Sequence, residues 1–204
     1  MGRSKEKTLY WIWKKYSESR WKEKLKEVGV VSEEDVNGFL KLVGEREIQW
    51  VPWKLGYFVS LVLRCCYGGW IIELDIKAID GKIDVGYKLN WGGILYVKGD
   101  VKGSVGSWMK GGIIVVNGDV GREVGICMEG GVIVVNGDVG GDVGYGMSGG
   151  LIIIKGDVRR YMGYGMIGGM IVVDRHIKHN EWLEELGKGF VVYKGFVYTG
   201  RWVE

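Results

Sequence analysis

Residues 111–148 read GGIIVVNGDVGREVGICME and then GGVIVVNGDVGGDVGYGMS, one nineteen-residue unit written twice with few changes. Glycine pairs begin at Gly92, Gly111, Gly130, Gly149 and Gly168, each nineteen residues after the last. A degenerate unit opens earlier, at Gly68, with GGWIIELDIKAIDGKIDVGYKLNW, and carries a five-residue insertion. Self-similarity at a fixed short period is the signature of a repeat architecture. Stacking the units gives columns. Met109, Met128, Met147 and Met166 align, as do Gly99, Gly118, Gly137 and Gly156. Asp100, Asp119, Asp138 and Asp157 follow, then Val101, Val120, Val139 and Val158, and later Gly106, Gly125, Gly144 and Gly163.

Within each unit four β-branched or aliphatic residues follow the glycine pair, then an Asn-Gly-Asp turn and a glycine-rich stretch. Strands of about four residues punctuated by glycine are not helices. Nineteen residues are also too few for a propeller blade or a two-helix repeat. The unit suits one coil of a parallel β-helix, paired with the next coil at ~4.8 Å. Six such coils stack to roughly 29 Å. Each coil turns sharply about three times, and a corner at positive φ admits glycine cheaply.

Composition agrees with a globular chain and excludes several others. The 204 residues are 47% hydrophobic and 26% charged, which suits a packed core. Thirty-seven glycines stand against a single proline, Pro52, so collagen is excluded. A net charge of +3 is too small to argue for nucleic acid or a membrane surface. The most apolar run, LGYFVSLVL, is bounded by Lys54 and Arg64 and is far shorter than the ~20 residues a span needs. The opening MGRSKEKTLYWIWKK is charged where a secretory signal would be apolar. A soluble, cytoplasmic chain is expected, with no nucleic-acid or membrane partner.

The flanks read as caps, because an open β-helix exposes a coil edge at each end. Three regions follow: a helical, tryptophan-rich cap over 1–67, the repeat over 68–174, and a C-terminal cap over 175–204. Residues 5–28 read as one polar helix carrying Trp11, Trp13, Trp21 and Leu25. Ser32 before Glu33, Glu34 and Asp35 is a good start for a second helix running to Val43. The third runs from Pro52 to Cys66, with proline near its first turn. After the repeat, DRHIKHNEWLEELG reads as a helix, and FVVYKGFVYTGRWV as a strand, a Lys-Gly turn and a strand.

The run GDVGREVGICMEGG spaces glycines as G-xx-G-xxx-G at Gly118, Gly121 and Gly125, and the triplet recurs at Gly137, Gly140 and Gly144. Over residues 68–174 this resembles the glycine-motif β-helix that closes the large subunit of glutamate synthase, and the β-helical subunit of formylmethanofuran dehydrogenase. The pattern departs where Lys102 and Arg159 replace the second glycine. The resemblance implies a right-handed parallel β-helix that props catalytic domains or subunits together, with no cofactor and no catalytic residue of its own. The chain shows no cluster-binding cysteines and no flavin barrel, so the expectation is the scaffold alone.

Several residues invite a chemical reading. Gly146-Met147-Ser148-Gly149-Gly150 fits G-x-S-x-G, with His176 and His179 later in the chain, and an esterase using Ser148 is the alternative function. Ser148, however, occupies the column of Lys110, Glu129 and Ile167, so the repeat itself explains the motif. Four stacked aspartates repel by about 0.9 kcal/mol per neighbouring pair in bulk water. Either each Asp caps its own turn, with Lys98 and Lys155 neutralising the ends, or the carboxylates line up a calcium row. The capping reading is preferred, and no metal is expected. His176 and His179 have no third ligand nearby for zinc. Cys65, Cys66 and Cys127 read as buried thiols, and the methionine column as core. The tryptophans read as lids and anchors, and only Trp91 and Trp108 fall inside the repeat.

One pattern points to partners. ILYV, IIVV, VIVV, LIII and MIVV are apolar at both parities, although alternate strand residues face opposite ways. The inward half fills the coil, and the outward half makes a patch larger than a monomer normally exposes. The helix from Pro52 to Cys66, ~22 Å long, is expected to cover about four coils. The rest is expected to meet other protein subunits or a second copy of the chain.

Overall fold

The computed structural model describes residues 4–46, 52–178 and 186–200. Four helices, α1 (Lys5–Lys15), α2 (Glu18–Leu25), α3 (Glu33–Arg46) and α4 (Pro52–Cys65), precede the strands. The strands are β1 (Ile71–Leu74), β2 (Asn90–Lys98), β3 (Gly111–Asn117), β4 (Val132–Val135), β5 (Leu151–Ile154), β6 (Met170–Val173), β7 (Phe190–Tyr193) and β8 (Phe196–Thr199). They form one sheet in sequence order. From β2 to β6 the register advances by one repeat at each step: Ile94 pairs Ile113, Ile113 pairs Val132, Val132 pairs Leu151 and Leu151 pairs Met170. The chain is a β-solenoid of parallel coils with a helical N-terminal cap.

Two narrower ladders complete each coil. Val101, Val120, Val139, Val158 and Ile177 pair in sequence along one, and Val85, Val105, Val124, Val143 and Met162 along the other. A single coil therefore sends Ile114, Val116, Val120, Val124 and Met128 inward, and all five are buried. The methionine column is core, as the sequence suggests. Each methyl fills space left by a glycine of the next coil, with Met109 Cε against Gly131 and Met128 Cε against Gly150.

The glycine triplet divides by physical need. Gly125 turns a corner at φ +70°, and a Cβ there would collide with Ile152 Cδ1 of the next coil. A Cβ on Gly118 would strike the Gly99 backbone and the Asp100 carboxylate. Gly121 has an ordinary φ, and its Cβ would meet neighbours only at 3.5 Å, normal contact. That freedom explains why Lys102 stands in the same column. Another corner is left-handed in every coil: Lys88, Trp108, Cys127, Gly146 and Gly165 have φ of 56°, 59°, 49°, 60° and 61°. A non-glycine residue there costs on the order of 1 kcal/mol, so Trp108 is placed against its own preference.

The N-terminal segments differ in detail from expectation. Residues 5–28 are two helices, broken at Tyr16, which is extended with φ −108° and ψ 151°. The Tyr16 carbonyl so released accepts the Trp21 indole N–H at 2.9 Å, and Trp21 packs edge-on to Phe58 of α4. The start at Ser32 holds: Ser32 Oγ accepts the Asp35 amide at 3.2 Å, and Asp35 Oδ2 accepts the Ser32 amide at 2.9 Å. α4 begins at Pro52 as expected. The helices close the edge of β1 with side chains. Glu33 Oε2 accepts the Glu73 amide, Asn37 Nδ2 donates to the Glu73 carbonyl, and Asn37 Oδ1 accepts the Asp75 amide, at 2.8–2.9 Å. The free strand edge is thereby satisfied rather than left open to another chain.

The helix expected from Asp174 is absent over residues 174–178. Residues 174–178 finish another coil, with Ile177 paired to Val158, and residues 179–185 lie outside the described residues. β7 then adds a seventh parallel strand to the sheet. The expected Lys-Gly turn at Lys194-Gly195 reverses the chain, and β8 pairs antiparallel to β7. Replacing Gly125 with Val should lower stability by more than ~1 kcal/mol, seen as a melting-temperature drop of several degrees. Gly121→Ala should leave the melting temperature close to wild type.

Candidate functional site

The aspartate column is a hydrogen-bonded ladder. The amide of Asp119 donates to Asp100 Oδ1, that of Asp138 to Asp119 Oδ1, and that of Asp157 to Asp138 Oδ1, each at 2.8 Å. The His176 amide continues it to Asp157 Oδ1 at 3.2 Å. Each carboxylate thus caps an amide one coil further on, not its own turn. This is the physical answer to the repulsion problem, because an N–H dipole lies between successive charges. The cations at the end differ too. Lys98 pairs with Glu73 at 2.7 Å, while Arg159 approaches Asp138 at 3.7 Å and Lys178 approaches Asp157 at 3.2 Å. The His176 amide, and then Lys178, hold the Asp157 carboxyl below its ordinary range. Among the described residues, no group of three His, Cys, Asp or Glu is arranged to hold a metal ion.

Ser148 lies in a turn that leads into β5, not on the strand-to-helix bend that exposes a nucleophile. Its hydroxyl donates to the Met128 carbonyl at 3.4 Å. His176 sits on the last coil, with Nδ1 3.4 Å from Asp157, and its role is to end the carboxylate ladder. His179 lies outside the described residues. Cys66 is buried, its Sγ donates to the Leu25 carbonyl at 3.2 Å, and burial pushes the thiol up to about 11. All three cysteines are free, and Cys65 and Cys127 are half-buried rather than fully enclosed.

The outward face of the sheet is the largest feature without an internal use. One column holds Ile94, Ile113, Val132, Leu151, Met170 and Phe190, and the other Tyr96, Val115, Val134, Ile153, Val172 and Val192. All twelve are apolar or aromatic, and none is buried. Their strand neighbours, such as Ile114, Val116, Ile133, Ile171 and Val173, fill the interior. α4 does not cover this face as expected. It packs on α2 and reaches β2 beside Asn90, with Gly56 pressed on the Asp84 carbonyl and the Pro52 carbonyl accepting the Asp84 amide. The physical reason lies in α4 itself. Leu55, Phe58, Val59, Val62 and Leu63 are all committed to the core shared with α2, α3 and the first coil. Beside the face runs a polar strip, in which Asn136 Nδ2 donates to Asn117 Oδ1 and Asn117 Nδ2 donates to Tyr96 Oη.

No family model matches the chain, and neither a curated protein nor a solved structure does. Among the described residues no helix is long and apolar enough to cross a membrane. The ladder generates a pH expectation. A carboxyl held below its ordinary value contributes stability that is present above the unfolded-state pKa and lost as pH falls through the folded value. The melting-temperature gap between wild type and Asp157→Asn should therefore be wider at about pH 7 than at about pH 3. Dialysis against a chelator should leave the wild-type melting temperature unchanged, since stabilisation by a bound ion vanishes when the ion does.

Proposed function

We propose that this chain is a non-catalytic β-helix scaffold, an assembly component whose outward sheet face docks other protein subunits or a second copy of itself. The observation that carries the reading is the pair of apolar columns from β2 to β7, which no described helix lies over along β3 to β6. Exposed apolar surface costs about 25 cal/mol per Å² relative to burial. A contiguous patch of this kind is the usual mark of an interaction site. The resemblance to the β-helix domain of glutamate synthase and to the β-helical subunit of formylmethanofuran dehydrogenase supports the same role, with the chemistry carried by partner subunits. The scaffold works in the cytoplasm, in keeping with three free thiols. The esterase alternative finds no support in the turn that carries Ser148.

Strand parity selects the residue that tests this reading. Ile171 faces the interior and Val172 faces out, so the charge belongs at 172. Val172→Lys should leave a folded chain, with its melting temperature near wild type, and shift the mass seen by light scattering towards the monomer on dilution. A wild type that is monomeric at every concentration, and brings no stoichiometric subunit with it from native extract, would remove the main support.

A further inference from the structure

A cleft of about 440 Å³ lies between α4 and the corners of the first coils. Tyr57 and Arg64 of α4 form one wall, and Lys88, Trp108, Lys110 and Glu129 the other. Its volume falls in the range of small-ligand clefts. Two independent features single it out. The first is Trp108, the bulkiest residue at a left-handed corner that Lys88 and Cys127 share and that later coils give to Gly146 and Gly165. Packing rewards that strain only in part, because Trp108 is 45% exposed. A bulky, half-exposed residue held in this region is uncommon and invites a functional reading.

The second feature is charge. Lys110 is neutralised by Glu129 at 2.9 Å. Lys88 and Arg64 have no carboxylate within ion-pair distance among the described residues. Lys88 Nζ is instead held over the rings of Tyr57 and Tyr87, 5.5 and 5.4 Å from their centroids. Three cations against one carboxylate leave the cleft positive, and an exposed indole offers a flat apolar wall beside them. We propose that this cleft binds a small anion carrying a planar ring, of mononucleotide size: the ring stacks on Trp108, and Arg64 and Lys88 hold the anionic group. The inference is separate from the docking role of the sheet face, which lies on the strands rather than at this corner.

Calorimetric titration of the full chain with the four ribonucleoside 5′-monophosphates tests it, with adenosine and ribose 5-phosphate as single-feature controls. At least one monophosphate should bind, and both adenosine and ribose 5-phosphate should bind more weakly than AMP. Trp108→Gly is the informative variant, since glycine suits φ 59°. Its melting temperature should equal or exceed wild type, while affinity for the monophosphate falls about tenfold or more through lost stacking. Lys88→Gly should weaken binding likewise, and raised salt should weaken it in the wild type. The proposal is overturned if none of the four monophosphates binds at millimolar concentration, or if Trp108→Gly binds as wild type does. It is equally overturned if Trp108→Gly melts well below wild type, which would make the indole a packing element.

Discussion

Peptide groups of each coil hydrogen-bond to those of the coils above and below, and this stacking governs everything else in the chain. The Gly125 amide donates to the Val105 carbonyl, Gly144 to Val124 and Gly163 to Val143, all at 2.8 Å. A residue and its copy nineteen positions later must then share one site at about 4.8 Å separation. Identical side chains are compatible with that constraint only if each type can stack on itself. Aliphatic chains and methionine do so by packing, and asparagine by passing its amide hydrogen bond along the column. Aspartate can do so only because a backbone N–H intervenes. The repeat is therefore less a record of duplication than a physical filter on which residues may follow their own kind.

That filter explains how much is legible in the sequence. The coil length, the strand positions, the inward methionines and the positive-φ corner at Gly125 can all be read, because each appears several times and chance does not repeat. The C-terminal hairpin is legible from its Lys-Gly turn. Features written only once are not. The break at Tyr16 depends on a carbonyl finding Trp21, a contact that helical periodicity does not encode. The aspartate ladder is hidden for a related reason. A turn motif points to the local amide, whereas the folded chain offers a better one a coil away. Trp108 is legible in principle, since the glycines of its column at Gly146 and Gly165 mark a left-handed position.

The two ends of the stack deal with edge exposure by different physics. At the first coil, β1 meets α3 through side chains: Glu33 and Asn37 occupy the hydrogen-bonding groups of Glu73 and Asp75 that another strand would use. That solution ends the sheet, because carboxylate and amide side chains cannot propagate a ladder. At the last coil the sheet instead gains β7 in parallel and then reverses into the antiparallel β8. A reversed strand cannot be followed by another coil in the same register, so the repeat terminates by topology. Phe196 and Val197 of β8 are nevertheless highly exposed, as are Trp70 and Ile71 at the first coil.

The helical cap also decides where the sheet face stays open. Burying Leu55, Phe58 and Val62 against α2, α3 and the first coil fixes α4 beside the first coils, and a helix committed there cannot also lie along β3 to β6. Stability of the cap and exposure of the apolar columns are thus two consequences of one packing choice. The same choice brings Tyr57 and Arg64 to the corners that carry Lys88, Trp108 and Lys110. Had α4 lain along the sheet, Ile113 to Val172 would have been ordinary core, and the cationic corner would have had no facing wall. The surface that calls for a partner and the cleft that suits a ring-bearing anion both follow from where one helix spends its apolar side.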